Sequence, residues 1–273
     1  MKTLINQTLL YDEECPLCQV YTSGFIKAKM LDKSGRKPFN HLSKEELNFV
    51  DVNRATNEIA LIDNKNKTVI YGIDSLLKVI GNSFPFIEKI GYIRPIHFLL
   101  RKLYSFISYN RKVVIPRKAN KNVKLSCIPD FNTKYRILYI LLSILITTLV
   151  LFKFSNLVLL LPESTFGREL ILTLGQILFQ SAFLIKQKKE STLNYIGNLM
   201  TVSLMGSLIL IPLLIINSIT NLATPIILIW FGTTVLIMFL EHFRRIKTLE
   251  LPSYLSYTWA IYRIIALLII LNI

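Results

Sequence analysis

The sequence predicts two unlike halves, a small α/β domain followed by an all-α bundle of membrane-spanning helices. Three observations carry this. Residues 1–111 hold 16 Lys/Arg against 11 Asp/Glu, the balance of a soluble domain. From residue 112 onward, 16 Lys/Arg face only 6 Asp/Glu, and most of those charges stand between five long apolar runs. Near the start, Asp12-Glu-Glu-Cys15-Pro-Leu-Cys18 separates a short apolar run, Thr8-Leu-Leu-Tyr11, from a segment with the pattern of a helix over about 16–31.

The two thiols are the first candidate for chemistry. A Cys-x-x-Cys pair opening a helix after a strand suits disulfide exchange. The first sulfur lies near unpaired N–H groups and the positive end of the helix dipole, which favour thiolate over thiol. The second is near enough to attack a mixed disulfide on the first. Pro16 fits the first turn, where no N–H is missed. Cys15 is therefore expected to attack, as the more exposed thiol, and Cys18 to resolve. Asp12 would tune the pair, assist proton transfer or cap the turn. Glu13 and Glu14 oppose the dipole. Tetrahedral zinc would need two further ligands, and Cys127, His41, His97 and His242 supply no pair at ligand spacing. No metal and no dissociable cofactor are expected.

The rest of the first half reads in order. Asp32 to Pro38 is polar and Gly/Pro-containing, and 39–42 is expected as a short strand. Ser43-Lys-Glu-Glu46 has the form of a capping box opening a brief helix. Residues 58–63 and 68–71 read as strands joined by the turn Asn64-Lys-Asn-Lys67. After Gly72, residues Ile73, Leu76, Leu77 and Ile80 fall at helical spacing. Residues 84–114 form a second helical region. Ile96, Leu99, Leu100, Leu103, Phe106 and Ile107 make a broad apolar face expected to complete the soluble core, with a helix lying on the membrane surface as the alternative. His97 is expected as a packing residue.

Strand, dithiol helix, strand, hairpin and helix is the order of a thioredoxin-like α/β sandwich. The sequence also resembles the DCC family of thiol–disulfide oxidoreductases, on Asp12, Cys15 and Cys18, on Tyr71-Gly72-Ile-Asp74-Ser-Leu-Leu77, and on Ile93-Arg-Pro95 followed by Tyr104-Ser-Phe-Ile-Ser-Tyr-Asn110-Arg111. The resemblance spans residues 8–112 and implies a thioredoxin-like fold and dithiol chemistry, without a substrate. One departure concerns docking. Thioredoxins place a cis-proline before the hairpin, and here Ala55-Thr-Asn-Glu58 has no proline.

The expected domains are thus 1–112, thioredoxin-like, 113–135, a basic linker, and 136–273, transmembrane. The linker region from Arg111 to Arg136 carries eight Lys/Arg and one acid. Spans are expected at about 136–152, 169–185, 194–216, 223–241 and 257–273. The first residues lack the uninterrupted apolar run of a secretory signal, so the first domain is expected in the cytoplasm, where a catalytic or sensing dithiol suits the reducing environment. With that orientation fourteen Lys/Arg fall inside against two outside, placing the C-terminus outside. Gln176, Gln180, Asn198 and Arg263 lie within the spans. The amides are expected as interhelical glue, and Arg263 as a functional candidate that could also snorkel. Gly175, Gly197 and Gly206 permit close helix packing.

A membrane-anchored thiol–disulfide oxidoreductase is the leading expectation. The alternative is a membrane transporter or lipid-handling protein with a redox-sensing domain. Expected partners are a dithiol or disulfide substrate, membrane lipid and a membrane-protein partner, not nucleic acid. With no cysteine beyond residue 127, thiols alone cannot relay electrons across a bilayer.

Overall fold

The computed structural model describes residues 2–13, 15–116, 131–158 and 161–272. The chain divides into two compact units, Met1–Asn132 and Thr133–Ile273.

The first unit begins with strand β1 (Gln7–Tyr11) and helix α1 (Pro16–Lys27). The helix ends four residues earlier than its sequence pattern suggests. Lys29 takes a left-handed conformation (φ 55°), and the Ala28 and Met30 N–H groups fold back to the Gly24 and Phe25 carbonyls. Leu31 then bridges to Leu4. Strand β2 is Arg36–Pro38, and the expected strand at 39–42 is instead a 3-10 turn, Phe39–His41. Pro38 has no N–H to continue a ladder and sits on the sheet edge, where proline is tolerated. The capping box forms as its sequence implies. Ser43 N–H donates to Glu46 Oε2 at 2.6 Å, and Glu46 N–H to Ser43 Oγ at 3.3 Å. It opens only a 3-10 turn, Glu46–Asn48. A short helix α2 (Val52–Asn57), capped by Asp51, follows.

Strands β3 (Ala60–Asp63) and β4 (Thr68–Tyr71) form the hairpin. The sheet order is β2-β1-β3-β4, with β1 parallel to β2 and the other pairs antiparallel. Alternation along the strands builds two cores. Leu9 and Leu61 pack with Leu4, Leu31, Ile59 and Val79 on one face. Leu10, Ala60 and Ile62 pack with Phe39, Val50 and Ala55 on the other.

Gly72 caps helix α3 (Ile73–Ser83). Its φ of 66° and ψ of −139° suit glycine alone, and a Cβ there would meet Glu58 Oε2 at 2.9 Å. The second helical region is two helices, α4 (Pro85–Gly91) and α5 (Arg94–Val114), each with proline in its first turn. The expected core face of α5 is only partly the real one. Leu99, Leu103 and Ile107 are exposed, whereas Asn110, Arg111 and Val113 are buried. The helix is held by polar anchors on another side. Tyr104 Oη accepts the Ile59 N–H at 2.9 Å, and His97 Nε2 lies 2.6 Å from Asp74 Oδ1 of α3. His97 is thus a packing residue with a defined partner.

The second unit is helical: α6 (Thr133–Ser155), α7 (Phe166–Ala182), α8 (Lys189–Thr220), α9 (Thr224–Thr248) and α10 (Tyr254–Leu271). Four of these, α6, α8, α9 and α10, are long and apolar enough to cross a membrane. The helix at the second expected span, α7, has only 17 residues. Glue by the amides is specific. Gln180 Oε1 accepts from Tyr195 Oη at 2.8 Å, Tyr195 Oη lies 3.3 Å from His242 Nε2, and His242 Nδ1 lies 3.0 Å from Ser256 Oγ. Asn198 Oδ1 accepts from Arg245 Nη1 at 2.8 Å. Gly175 admits the hydroxyl of Tyr262, and Gly206 the sulfur of Met238.

Candidate functional site

The dithiol sits where β1 hands over to α1. Asp12 C=O accepts the Cys15 N–H at 3.2 Å, making the turn that brings Cys15 to the N-cap of α1. There the Cys15 Sγ accepts the Cys18 N–H at 3.5 Å. A sulfur thus occupies the position usually taken by a Ser or Asp oxygen, on one of the N–H groups that a helix leaves unpaired. Gln19 Nε2 donates to Glu13 C=O at 2.9 Å and ties the turn to the helix.

The two thiols are not joined in a disulfide, and both are buried, Cys15 at 8% and Cys18 at 7% exposure. Greater access for Cys15 is therefore not found. The Asp12 side chain is also buried, whereas Glu13 is exposed.

The electrostatics are mixed. The Cys18 thiol at its side, then burial, push the Cys15 thiol above its ordinary value, and the Cys18 N–H and the charge of Arg111 pull it down. The helix N-terminus thus acts on Cys15 as the sequence implies, but the neighbouring sulfur and burial outweigh it. Tyr21, one turn beyond Cys18, belongs to the same cluster. Burial, then the Cys18 and Tyr104 groups, raise its hydroxyl well above the ordinary value. Thr22 Oγ1 donates to Cys18 C=O at 2.7 Å and accepts from Arg36 Nη1 at 3.2 Å, linking α1 to β2.

Three site residues thus lie outside the Cys-x-x-Cys motif. Arg111 is sequence-remote, at the last turn of α5, and nothing in the sequence singled it out as a site residue. Tyr21 and Tyr104 carried no separate signal. Cys127 lies outside the described residues. Among the described residues no group of three metal-ligating side chains occurs. His97 and His242 are engaged with Asp74 and with Tyr195 and Ser256.

Directly after Ala55-Thr-Asn-Glu58, the backbone of Ile59 is paired internally. Ile59 donates its N–H to Tyr104, and its C=O accepts from Gly72 N–H at 2.7 Å and from Ser75 Oγ at 3.3 Å. Both polar groups of the Ile59 backbone are thus committed to the fold. Comparison with family models, curated proteins and solved structures finds no match for this chain.

Proposed function

We propose that the chain is a membrane-anchored thiol–disulfide oxidoreductase of DCC type, with a thioredoxin-like first unit on the cytoplasmic side. The observation that carries this reading is the Cys15 Sγ at the N-cap of α1, on the Cys18 N–H. The 2-1-3-4 sheet order, with the dithiol helix between two parallel strands and a hairpin beyond, supports the fold. The charge distribution along the second half supports the orientation.

In the proposed reaction the Cys15 thiolate attacks one sulfur of a substrate disulfide. A mixed disulfide forms, and the other substrate sulfur leaves as a thiolate and takes up a proton. Cys18, as thiolate, then attacks the Cys15 sulfur. The Cys15–Cys18 disulfide forms, and the second substrate thiol is released, so two electrons have passed to the substrate. Run backwards, the same steps oxidise a dithiol. Asp12 and Arg111 set the charge around the pair.

Full-length protein carrying Cys127→Ser, reduced and then mixed with glutathione disulfide, tests this by mass spectrometry. The dithiol protein is expected to yield an internal disulfide and two glutathiones, Cys18→Ser to trap glutathione on Cys15, and Cys15→Ser to do neither. Undiminished turnover in Cys15→Ser would sink the proposal. A transport or lipid-handling role for the helical unit is a second reading, favoured by one observation, a large cavity among its helices.

A further inference from the structure

That cavity has a volume of about 750 Å³ and is lined only by residues of the helical unit. It falls within the size range of small-molecule sites. Its walls are mostly aliphatic and aromatic side chains from α6, α7, α9 and α10, but four of its polar side chains hold a buried atom with no hydrogen-bond partner among the described residues. These are the Thr147 hydroxyl and three N–H donors, Gln176 Nε2, Trp259 Nε1 and Arg263 Nε. Gln176 is 5% and Trp259 1% exposed.

Arg263 is the sharpest of these. It stands at the middle of α10, nine residues from Tyr254 and eight from Leu271. At that depth the side chain is more than two turns from either helix end. Its guanidinium stacks on the Trp259 ring at 4.2 Å and makes no ion pair with a described residue. Among the described residues one carboxylate lines the cavity, Glu169, and it is already neutralised. Arg168 Nη2 lies 2.8 Å from its Oε1, and Ser164 Oγ donates to the same oxygen at 2.7 Å. Arginine stays protonated in proteins. The cavity therefore combines an apolar body with an uncompensated cation, two neutral N–H donors and the Thr147 hydroxyl, and among the described residues it offers no free anion in return.

We propose that this cavity binds an anionic amphiphile, its hydrocarbon tail along the apolar walls and its carboxylate or phosphate oxygens on Arg263, Gln176 and Trp259. Donors left unpaired in a low-dielectric site are costly, and acceptor oxygens with a negative charge satisfy all three at once. A neutral lipid would fill the volume but leave the guanidinium uncompensated. The site concerns the helical unit alone and stands whether or not the dithiol turns over.

The chain supplies its own probe. It has two tryptophans, and Trp230, which donates to the Ile209 carbonyl, does not line the cavity. In full-length Trp230→Phe protein in phosphatidylcholine nanodiscs, quenching of Trp259 is titrated with dibromostearate, brominated phosphatidylglycerol and dibromostearyl alcohol. Saturable quenching by an anionic probe is expected, at concentrations about tenfold or more below those needed for the alcohol. Whichever anion saturates first identifies a free fatty carboxylate or a phospholipid headgroup as the natural class. In Arg263→Gln the preference over the alcohol should vanish. Gln176→Leu, a milder change, should weaken the anionic probe several-fold and leave the alcohol unaffected. Non-saturating quenching, equal quenching by the alcohol, a preference that survives Arg263→Gln, or no change in Gln176→Leu would each overturn the assignment.

Discussion

Cys15 is subject to opposing forces whose balance has a visible consequence. Its sulfur holds a helix N–H and feels the Arg111 charge, yet the Cys18 thiol and burial keep its proton on. A thiol whose value is raised is mostly protonated at neutral pH, so thiolate and exchange rate grow as pH rises. Alkylation of reduced Cys15, followed by mass spectrometry in a Cys127→Ser background, should still be accelerating above pH ~8.5, where an ordinary thiol is half ionised. Cys18→Ser removes the largest raising cause while keeping the backbone N–H, so Cys15 should then react several-fold faster at pH 8. Arg111→Gln should act the opposite way. A rate that levels off below pH 7 would show that the helix terminus wins instead. The place of the two thiols at the mouth of a helix was legible in the sequence, because strand, Cys-x-x-Cys and helical pattern follow one another within a few residues. Arg111 was not, because its effect depends on α5 returning to α1 across more than ninety intervening residues.

At the scale of elements, two local devices hold α3 and α5 in place. Gly72 turns the chain from β4 into α3 in a conformation closed to other residues, with Glu58 where a Cβ would go. Gly72→Ala should cost about 1–3 kcal/mol, read as a lowered unfolding midpoint of the first unit in the full-length protein. The His97–Asp74 contact joins α5 to α3 with one partly exposed hydrogen bond, worth about 1 kcal/mol. His97→Ala should raise amide exchange in the first turns of α5 and leave the β3–β4 hairpin protected. Equal exchange in both proteins would mean that the Tyr104 anchor alone suffices. The sequence showed α5 as a helix but misassigned its packed side, because apolar residues occur around much of it and periodicity cannot choose between two stripes. The strand at 36–38 was displaced for a similar reason. Phe39 is apolar and buried in either conformation, and only pairing with β1 decides where the ladder stops.

For the whole molecule, the open quantity is how many helices cross the bilayer. Helix α7 is about 26 Å long and α10 about 27 Å, both slightly under the ~30 Å of a hydrocarbon core, while α6, α8 and α9 exceed it. Helix α10 is one residue longer than α7 and is among the four helices long and apolar enough to cross. The charges favour a crossing by α7 under our proposed orientation. If α7 did not cross, Lys186, Lys188 and Lys189 would lie opposite the basic stretch before α6, against the usual bias of cationic loops. Reporter fusions after Ile115 and after Lys188 should both read cytoplasmic, and one joined after Ile273 external. An external signal at Lys188 would remove α7 from the count, and an external signal at Ile115 would reverse the orientation.

The sequence by itself determined the division into an α/β unit and an apolar helical unit, the dithiol at a helix start, the hairpin and the approximate place of every long helix. These follow from periodicity, turn residues and local capping, which act over a few residues and are written in neighbouring positions. Only the tertiary structure decided that both thiols are buried, that Arg111 and Tyr104 come back to the dithiol region, that Gln180 and Asn198 are satisfied, and that Gln176 and Trp259 are not. The physical reason is that burial and hydrogen-bond pairing are properties of what surrounds a group, and in this chain the surrounding residues lie tens of positions away.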